Sequence, residues 1–151
     1  MSAIDAYVLI GNPNTRKGSV LRSLTGCYSR SVRDVQLQGE RVPTRFYARA
    51  ASLQDTGTDA DSFVAEVAKA RCQAVIFCLA ASANNNARTP CPDAAHYVDA
   101  LRALGWRIRA VAVLGQNSGG VKAPNLRQYP QAPTAPINLT VRDVRAQFGW
   151  V

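Results

Sequence analysis

The sequence predicts an α/β protein, a three-layer α/β/α domain in which helices cover both faces of a mostly parallel sheet of about six strands. Short apolar runs recur at 6–10, 74–80 and 107–115, amphipathic helical stretches separate them, and polar loops rich in Gly, Asn and Pro follow them. The chain has 151 residues, 47% of them hydrophobic and 19% charged, enough for one well-buried core. It is therefore read as a single domain, 1–151.

The first run, "AYVLI", is bounded by Gly11 and Pro13 and fits a strand buried on both faces. In "RKGSVLRSLTG", Val20, Leu21 and Leu24 share one helical face, and Gly26 suits a helix C-cap. "VRDVQLQ" and "TRFYARAASL", separated by "GERVP", read as an antiparallel hairpin. A helix is expected from Asp61, with Phe63, Val64, Val67 and Ala68 at helical spacing and acidic residues in its first turn.

"AVIFCLA" reads as a buried strand, and the polar "ASANNNARTPCPD" as the loop at its carboxyl end. In "PCPDAAHYVDALRALG", Ala95, Val98, Leu101 and Leu104 point inward and Gly105 stops the helix. "RIRAVAVLG" supplies another strand. The segment 115–136, irregular and rich in Pro, Asn and Gly, shows no periodicity. In "PINLTVRDVRAQFGW", "PINL" is expected as an edge strand, Thr140 as a helix cap and Gly149 as the helix end.

The composition narrows the function classes. No run approaches the roughly 20 apolar residues that span a bilayer, and the first residues lack a basic leader, so a cytoplasmic protein without a membrane partner is expected. Cys27, Cys72, Cys78 and Cys91 form no CxxC pair or zinc spacing and are read as reduced thiols, with Cys27 and Cys91 the more exposed. Eighteen basic against ten acidic residues give +8, nearly all of the positive charge from arginine. Arginine pairs two phosphate oxygens at once, which makes nucleic acid a candidate partner. His96 has no partner implied in the sequence and reads as a surface or packing residue, and Trp106 and Trp150 as caps over helix ends.

In open parallel sheets ligands bind outside the carboxyl ends of the strands. That rule gathers the loops 11–19, 54–58, 81–92 and 115–120. The first of them, "GNPNTRKGS", approaches the G-x-x-x-x-G-K-[ST] phosphate loop, in which backbone N–H groups wrap phosphate, lysine reaches the outer phosphates and a hydroxyl holds magnesium. Gly11 and Lys17 fit that spacing. Arg16 stands in place of the second glycine, Gly18 in place of the hydroxyl, and Ser19 follows one step late.

Taken whole, "GNPNTRKGSVLRSLTG" resembles the nucleotide-binding loop of Era-like, translation-factor-class P-loop GTPases, "GxPNxGKSTLLNxLTG". Gly11, Pro13, Asn14, Lys17, Ser19, Leu21, Leu24, Thr25 and Gly26 match. Further on, Asp55, Thr56 and Gly57 in "SLQDTGTDAD" are similar to the family's "DTPG" or "DTAG", and "ARCQAVIFCLAAS" is similar to "ADAVIFVLDAS". Order and spacing agree over about the first 115 residues.

The resemblance implies a P-loop, small-GTPase-like architecture. Gly11, Asn14, Lys17 and Ser19 would lie around phosphate, and Asp55 and Ser19 near a magnesium ion. The sequence departs from the pattern where guanine would be read: "GQNS" at 115–118 replaces "NKxD", so the cofactor is GTP or ATP with Mg2+, or none. No glutamine follows "DTG" to orient a water. The expectation is a degenerate nucleotide-binding protein with weak or absent hydrolysis, acting through a protein partner. The alternatives are a basic nucleic-acid-associated module and a structural adaptor that retains only the fold.

Overall fold

The computed structural model describes residues 4–12, 15–82 and 91–151. Ten elements follow in order: β1 (Asp5–Ile10), α1 (Lys17–Thr25), β2 (Arg30–Val35), β3 (Thr44–Arg49), α2 (Ala60–Ala70), β4 (Ala74–Leu79), α3 (Ala94–Ala103), β5 (Arg107–Leu114), β6 (Leu126–Tyr129) and α4 (Ile137–Phe148). One six-stranded sheet has the order β2-β3-β4-β1-β5-β6. Every pairing is parallel except the β2/β3 hairpin.

The alternation of side chains along each strand builds two cores. Tyr7 and Leu9 of β1 face Val20, Leu21 and Leu24 of α1 and Val141, Val144 and Phe148 of α4. Ala6, Val8 and Ile10 face the other way, toward Phe63 and Val67 of α2 and Tyr97, Val98 and Leu101 of α3. β4, buried at every position, serves both cores, which is why its sequence is an unbroken apolar run. Each fully buried Leu, Val or Phe contributes about 1.5–3 kcal/mol of transfer free energy.

Aromatic rings fill the wider end of the first core. Tyr7, Phe46, Phe148 and Trp150 contact one another at centroid separations of 5.0–5.8 Å. Main-chain bonds from Gln38 N–H to the Gly149 carbonyl and from Val151 N–H to the Gln36 carbonyl, both 2.8 Å, hold the chain after α4 against the segment that follows β2. Trp106 packs instead on Phe63 and Phe77. Both tryptophans therefore belong to the core.

Several expectations need correction. The sixth strand is Leu126–Tyr129, inside the segment that lacked periodicity, while "PINL" opens α4. Pro136 precedes the first helical turn, where its fixed φ is tolerated, and Ile137, Val141, Val144 and Phe148 then form one apolar stripe. Thr140 lies within that helix and is buried, so it caps nothing. The helix expected from Asp61 begins one residue earlier and is capped by Asp59, whose carboxylate accepts from Ser62 N–H at 2.7 Å.

All four cysteines are buried, including Cys27 and Cys91. The Cys27 thiol lies under α1 and donates to the Ala48 carbonyl at 3.6 Å, and the Cys91 thiol donates to the Gln54 carbonyl at 3.8 Å. Leu104, expected inward, is exposed, and Tyr97 takes the inward position on α3 instead. Among the described residues, no helix is long and apolar enough to cross a membrane.

Candidate functional site

The topology selects one crevice. β1 and β4 are neighbours, yet the chain leaves β1 through α1 over one face and leaves β4 through α3 over the other. Adjacent parallel strands whose outgoing connections part in this way leave an opening at their carboxyl ends. The loop after β1 is the stretch that the sequence singled out.

Gly11 begins that loop and is tied to β4 by its N–H, which donates to the Leu79 carbonyl at 3.1 Å. The residue must be glycine, because a Cβ there would lie 2.2 Å from Thr15 Oγ1 and 3.2 Å from the Leu114 carbonyl. Thr15 Oγ1 folds back to donate to the Asn12 carbonyl at 2.7 Å, and the Lys17 ammonium donates to the same oxygen at 3.4 Å. Asn14, matched to the phosphate loop in the sequence, lies outside the described residues.

Arg16 has φ 67° and ψ 27°, the left-handed region that favours glycine. It occupies the position at which the phosphate-loop pattern requires glycine. The backbone keeps glycine's conformation although the residue is arginine. Its guanidinium spans to the Ala135 carbonyl at 2.7 Å, just before α4, and so binds the start of α1 to the turn that precedes α4.

Helix α1 starts immediately after. Its first internal bond runs from Val20 N–H to the Arg16 carbonyl at 2.9 Å, which leaves the N–H groups of Lys17, Gly18 and Ser19 without an intrahelical acceptor. The Arg16 side chain makes no cap bond here, and no acidic residue occupies the first turn. Among the described residues no acceptor meets these three N–H groups, which together with the positive end of the helix dipole can receive an anion. Ser19 is exposed on this turn.

Asp55, the other magnesium candidate, lies in the loop after β3, exposed, with its N–H donating to Ser52 Oγ at 3.1 Å. β4 separates β3 from β1 in the sheet, so Asp55 reaches the crevice from one strand further away. Its charge and those of Lys17 and Arg22 all act on Cys78 of β4, whose thiol is pushed up to about 12, chiefly by burial. Among the described residues, no group of three or more His, Cys, Asp or Glu is placed to hold a metal ion.

Two side chains that the sequence gave no reason to select organise this edge. Gln54, buried, accepts from Ala80 N–H at 3.0 Å and donates to the carbonyls of Ala80 and Pro92 at 2.9 and 3.3 Å, joining the loop after β3 to both ends of the loop after β4. Arg49 is buried at the end of β3 and bonds Glu66 of α2 together with the hydroxyls of Thr56 and Thr58. Glu66 also accepts from the Tyr47 hydroxyl, and its charge together with burial raises that phenol to about 12. A buried arginine that grips two threonines fixes the loop carrying Asp55.

The loop after β5 is closed on itself. The Asn117 carboxamide accepts from Gly119 N–H at 2.9 Å, and the Gln116 carbonyl accepts from Gln128 Nε2 at 3.1 Å. Gly119 has φ 63° and sits so near the Ala81 carbonyl that a Cβ would approach it to 2.3 Å. This loop therefore packs on the one after β4. His96 is exposed and paired with Asp93 at 2.7 Å on α3.

Compared with known proteins, the chain matches no family model, no curated protein and no solved structure.

Proposed function

We propose that the chain is a degenerate P-loop protein that binds a phosphate-bearing ligand, a nucleoside triphosphate such as GTP or ATP, in the loop of residues 11–19, hydrolyses it weakly or not at all, and acts through a protein partner. The observation that carries the reading is the left-handed backbone of Arg16 directly before the uncapped start of α1. A chain does not lightly hold arginine there, since the left-handed region costs roughly 1–2 kcal/mol for a residue with a Cβ. A phosphate loop needs that conformation so that successive N–H groups turn toward one anion.

Within this reading Lys17 moves from the Asn12 carbonyl to the outer phosphates, the N–H groups of residues 17–19 receive phosphate oxygens, and Gly11 admits the tight turn of the loop. Ser19 and Asp55 complete the shell of a magnesium ion that enters with the ligand. Hydrolysis is weak for two reasons. No glutamine follows Gly57 to orient an attacking water, and Ser19 stands one residue beyond the usual hydroxyl position. Asn117 is engaged in its own turn, and no carboxylate stands at 115–118 to select guanine, so little discrimination between GTP and ATP is expected.

Isothermal titration of the protein with each nucleotide, with and without Mg2+, tests the reading. Saturable binding that Lys17→Ala abolishes supports it, and binding that this substitution leaves unchanged removes the assignment.

A further inference from the structure

Alternate carbonyls on the stretch that leaves α1 each receive an arginine. The Leu24 carbonyl accepts from Arg145 at 3.2 Å, the Gly26 carbonyl from Arg33 at 3.3 Å and the Tyr28 carbonyl from Arg22 at 2.7 Å. Cations at a helix C-terminus satisfy its orphan carbonyls, and that explains part of the arrangement. It does not explain Tyr28, a residue 82% exposed and, among the described residues, the most exposed of the large hydrophobic ones.

The Arg22 guanidinium stands 5.2 Å from the centre of that ring. At this exposure it covers at most one face of the tyrosine. Among the described residues, neither Arg22 nor Arg33 forms an ion pair with a carboxylate, whereas Arg30 on the other face of β2 is paired with Glu66 and Arg145 also reaches the Val151 oxygen at 3.4 Å. Asp34 also lies on that other face, because side chains alternate along the strand. The surface around Tyr28 thus combines unneutralised positive charge with a bare aromatic face.

We infer that this surface, Tyr28 with Arg22 and Arg33, binds single-stranded nucleic acid. A base stacks on the open face of Tyr28 and the flanking phosphates meet the two guanidinium groups, which are already held in place by main-chain carbonyls. A single strand is required because its bases can leave their stack to reach the exposed ring in the turn between α1 and β2. An acidic peptide satisfies the charge and leaves the ring unused. Tyr28 and Arg33 lie outside the loop 11–19, whereas the Arg22 guanidinium borders Gly18 at the start of α1, so Tyr28→Ala, with nucleotide binding measured beside it, is the variant that separates this inference from the nucleotide reading.

Fluorescence anisotropy with labelled single-stranded oligo(U) and oligo(dT) of about twelve nucleotides, a duplex of equal length and a polyglutamate peptide tests it at about 50 mM salt and above. The expected result is binding of the single strands in preference to duplex and peptide. Tyr28→Ala weakens it on the order of tenfold and Tyr28→Phe retains it. Arg22→Gln and Arg33→Gln each flatten the dependence of log K on log salt by about 0.7. Absence of single-strand binding at the lowest salt overturns the inference. So does equal binding of duplex or polyglutamate, or single-strand affinity indifferent to Tyr28→Ala in a protein whose melting temperature is unchanged.

Discussion

The Arg16 guanidinium donates to the Ala135 carbonyl at 2.7 Å, across 119 residues of sequence, from a backbone held in the left-handed region. Glycine adopts that conformation freely, so Arg16→Gly removes a strain of roughly 1–2 kcal/mol. It also removes one hydrogen bond at an exposed site, worth about 0.5–1.5 kcal/mol net. The two changes nearly cancel, and the melting temperature is predicted to stay close to that of the parent. Nucleotide affinity is predicted to rise, because a loop freed from Ala135 and from a Cβ closes more tightly on phosphate. Paired melting and titration experiments check this, and a variant that loses affinity would assign Arg16 itself to the phosphate.

Gly11 makes the opposite prediction. A methyl group at this position meets Thr15 Oγ1 at 2.2 Å and the Leu114 carbonyl at 3.2 Å, so the Thr15 side chain must turn away from Asn12 and the carbonyl must give by a few tenths of an ångström. Gly11→Ala is expected to destabilise the protein by about 1–3 kcal/mol, the usual cost of overpacking. The double variant Gly11→Ala/Thr15→Ser retains the hydroxyl that collides and should recover little, while Gly11→Ala/Thr15→Gly should recover more. Chemical denaturation of the three proteins orders them.

The Arg49 and Glu66 pair is asymmetric, with side-chain exposures of 4% and 23%. Removing the carboxylate leaves a buried guanidinium without its counter-charge, and Glu66→Ala is predicted to cost about 3 kcal/mol. Arg49→Met leaves Glu66 within reach of Arg30 and the Tyr47 hydroxyl, so its cost should be the smaller of the two. Equilibrium unfolding in urea measures both. Arg49→Met should also loosen residues 52–58, seen as faster amide exchange at Thr56 and Thr58.

His96 is the single histidine of the chain, which makes its titration simple to follow. The hydrogen bond and charge of Asp93 raise its pKa above the ordinary 6.5, and the same contact lowers that of Asp93. A raised histidine pKa means stabilisation that is complete below the unfolded value and is lost as pH rises through the folded one. The lowered carboxyl contributes above its unfolded pKa and loses that contribution as pH falls through its folded value. Proton NMR is predicted to give a His96 midpoint above 6.5 that Asp93→Asn brings back toward 6.5.

The five strands and three helices up to Leu114 were legible because burial imposes a pattern on them. β1, β4 and the centre of β5 are unbroken apolar runs, and Val20, Leu21 and Leu24 mark the inner face of α1. β6 was not legible. Its "LRQY" is a half-exposed edge whose ladder to β5 is made by main-chain groups, which carry no residue signature. α4 was misread at its start because proline fits a strand edge as well as the approach to a helix. At the site, Gly11 and Lys17 could be found by spacing alone. The roles of Arg49 and Gln54 depend on partners 7 to 38 residues away, and the left-handed turn at Arg16 leaves no trace in an arginine.

The central claim is that residues 11–19 form a phosphate cradle, and calorimetric titration of the wild-type protein and Lys17→Ala with GTP and ATP in the presence of Mg2+ tests it most directly. The account predicts one saturable site per chain in the wild type, similar for the two nucleotides, and no measurable heat of binding in Lys17→Ala. Equal binding by the two proteins, or none by the wild type, would contradict it.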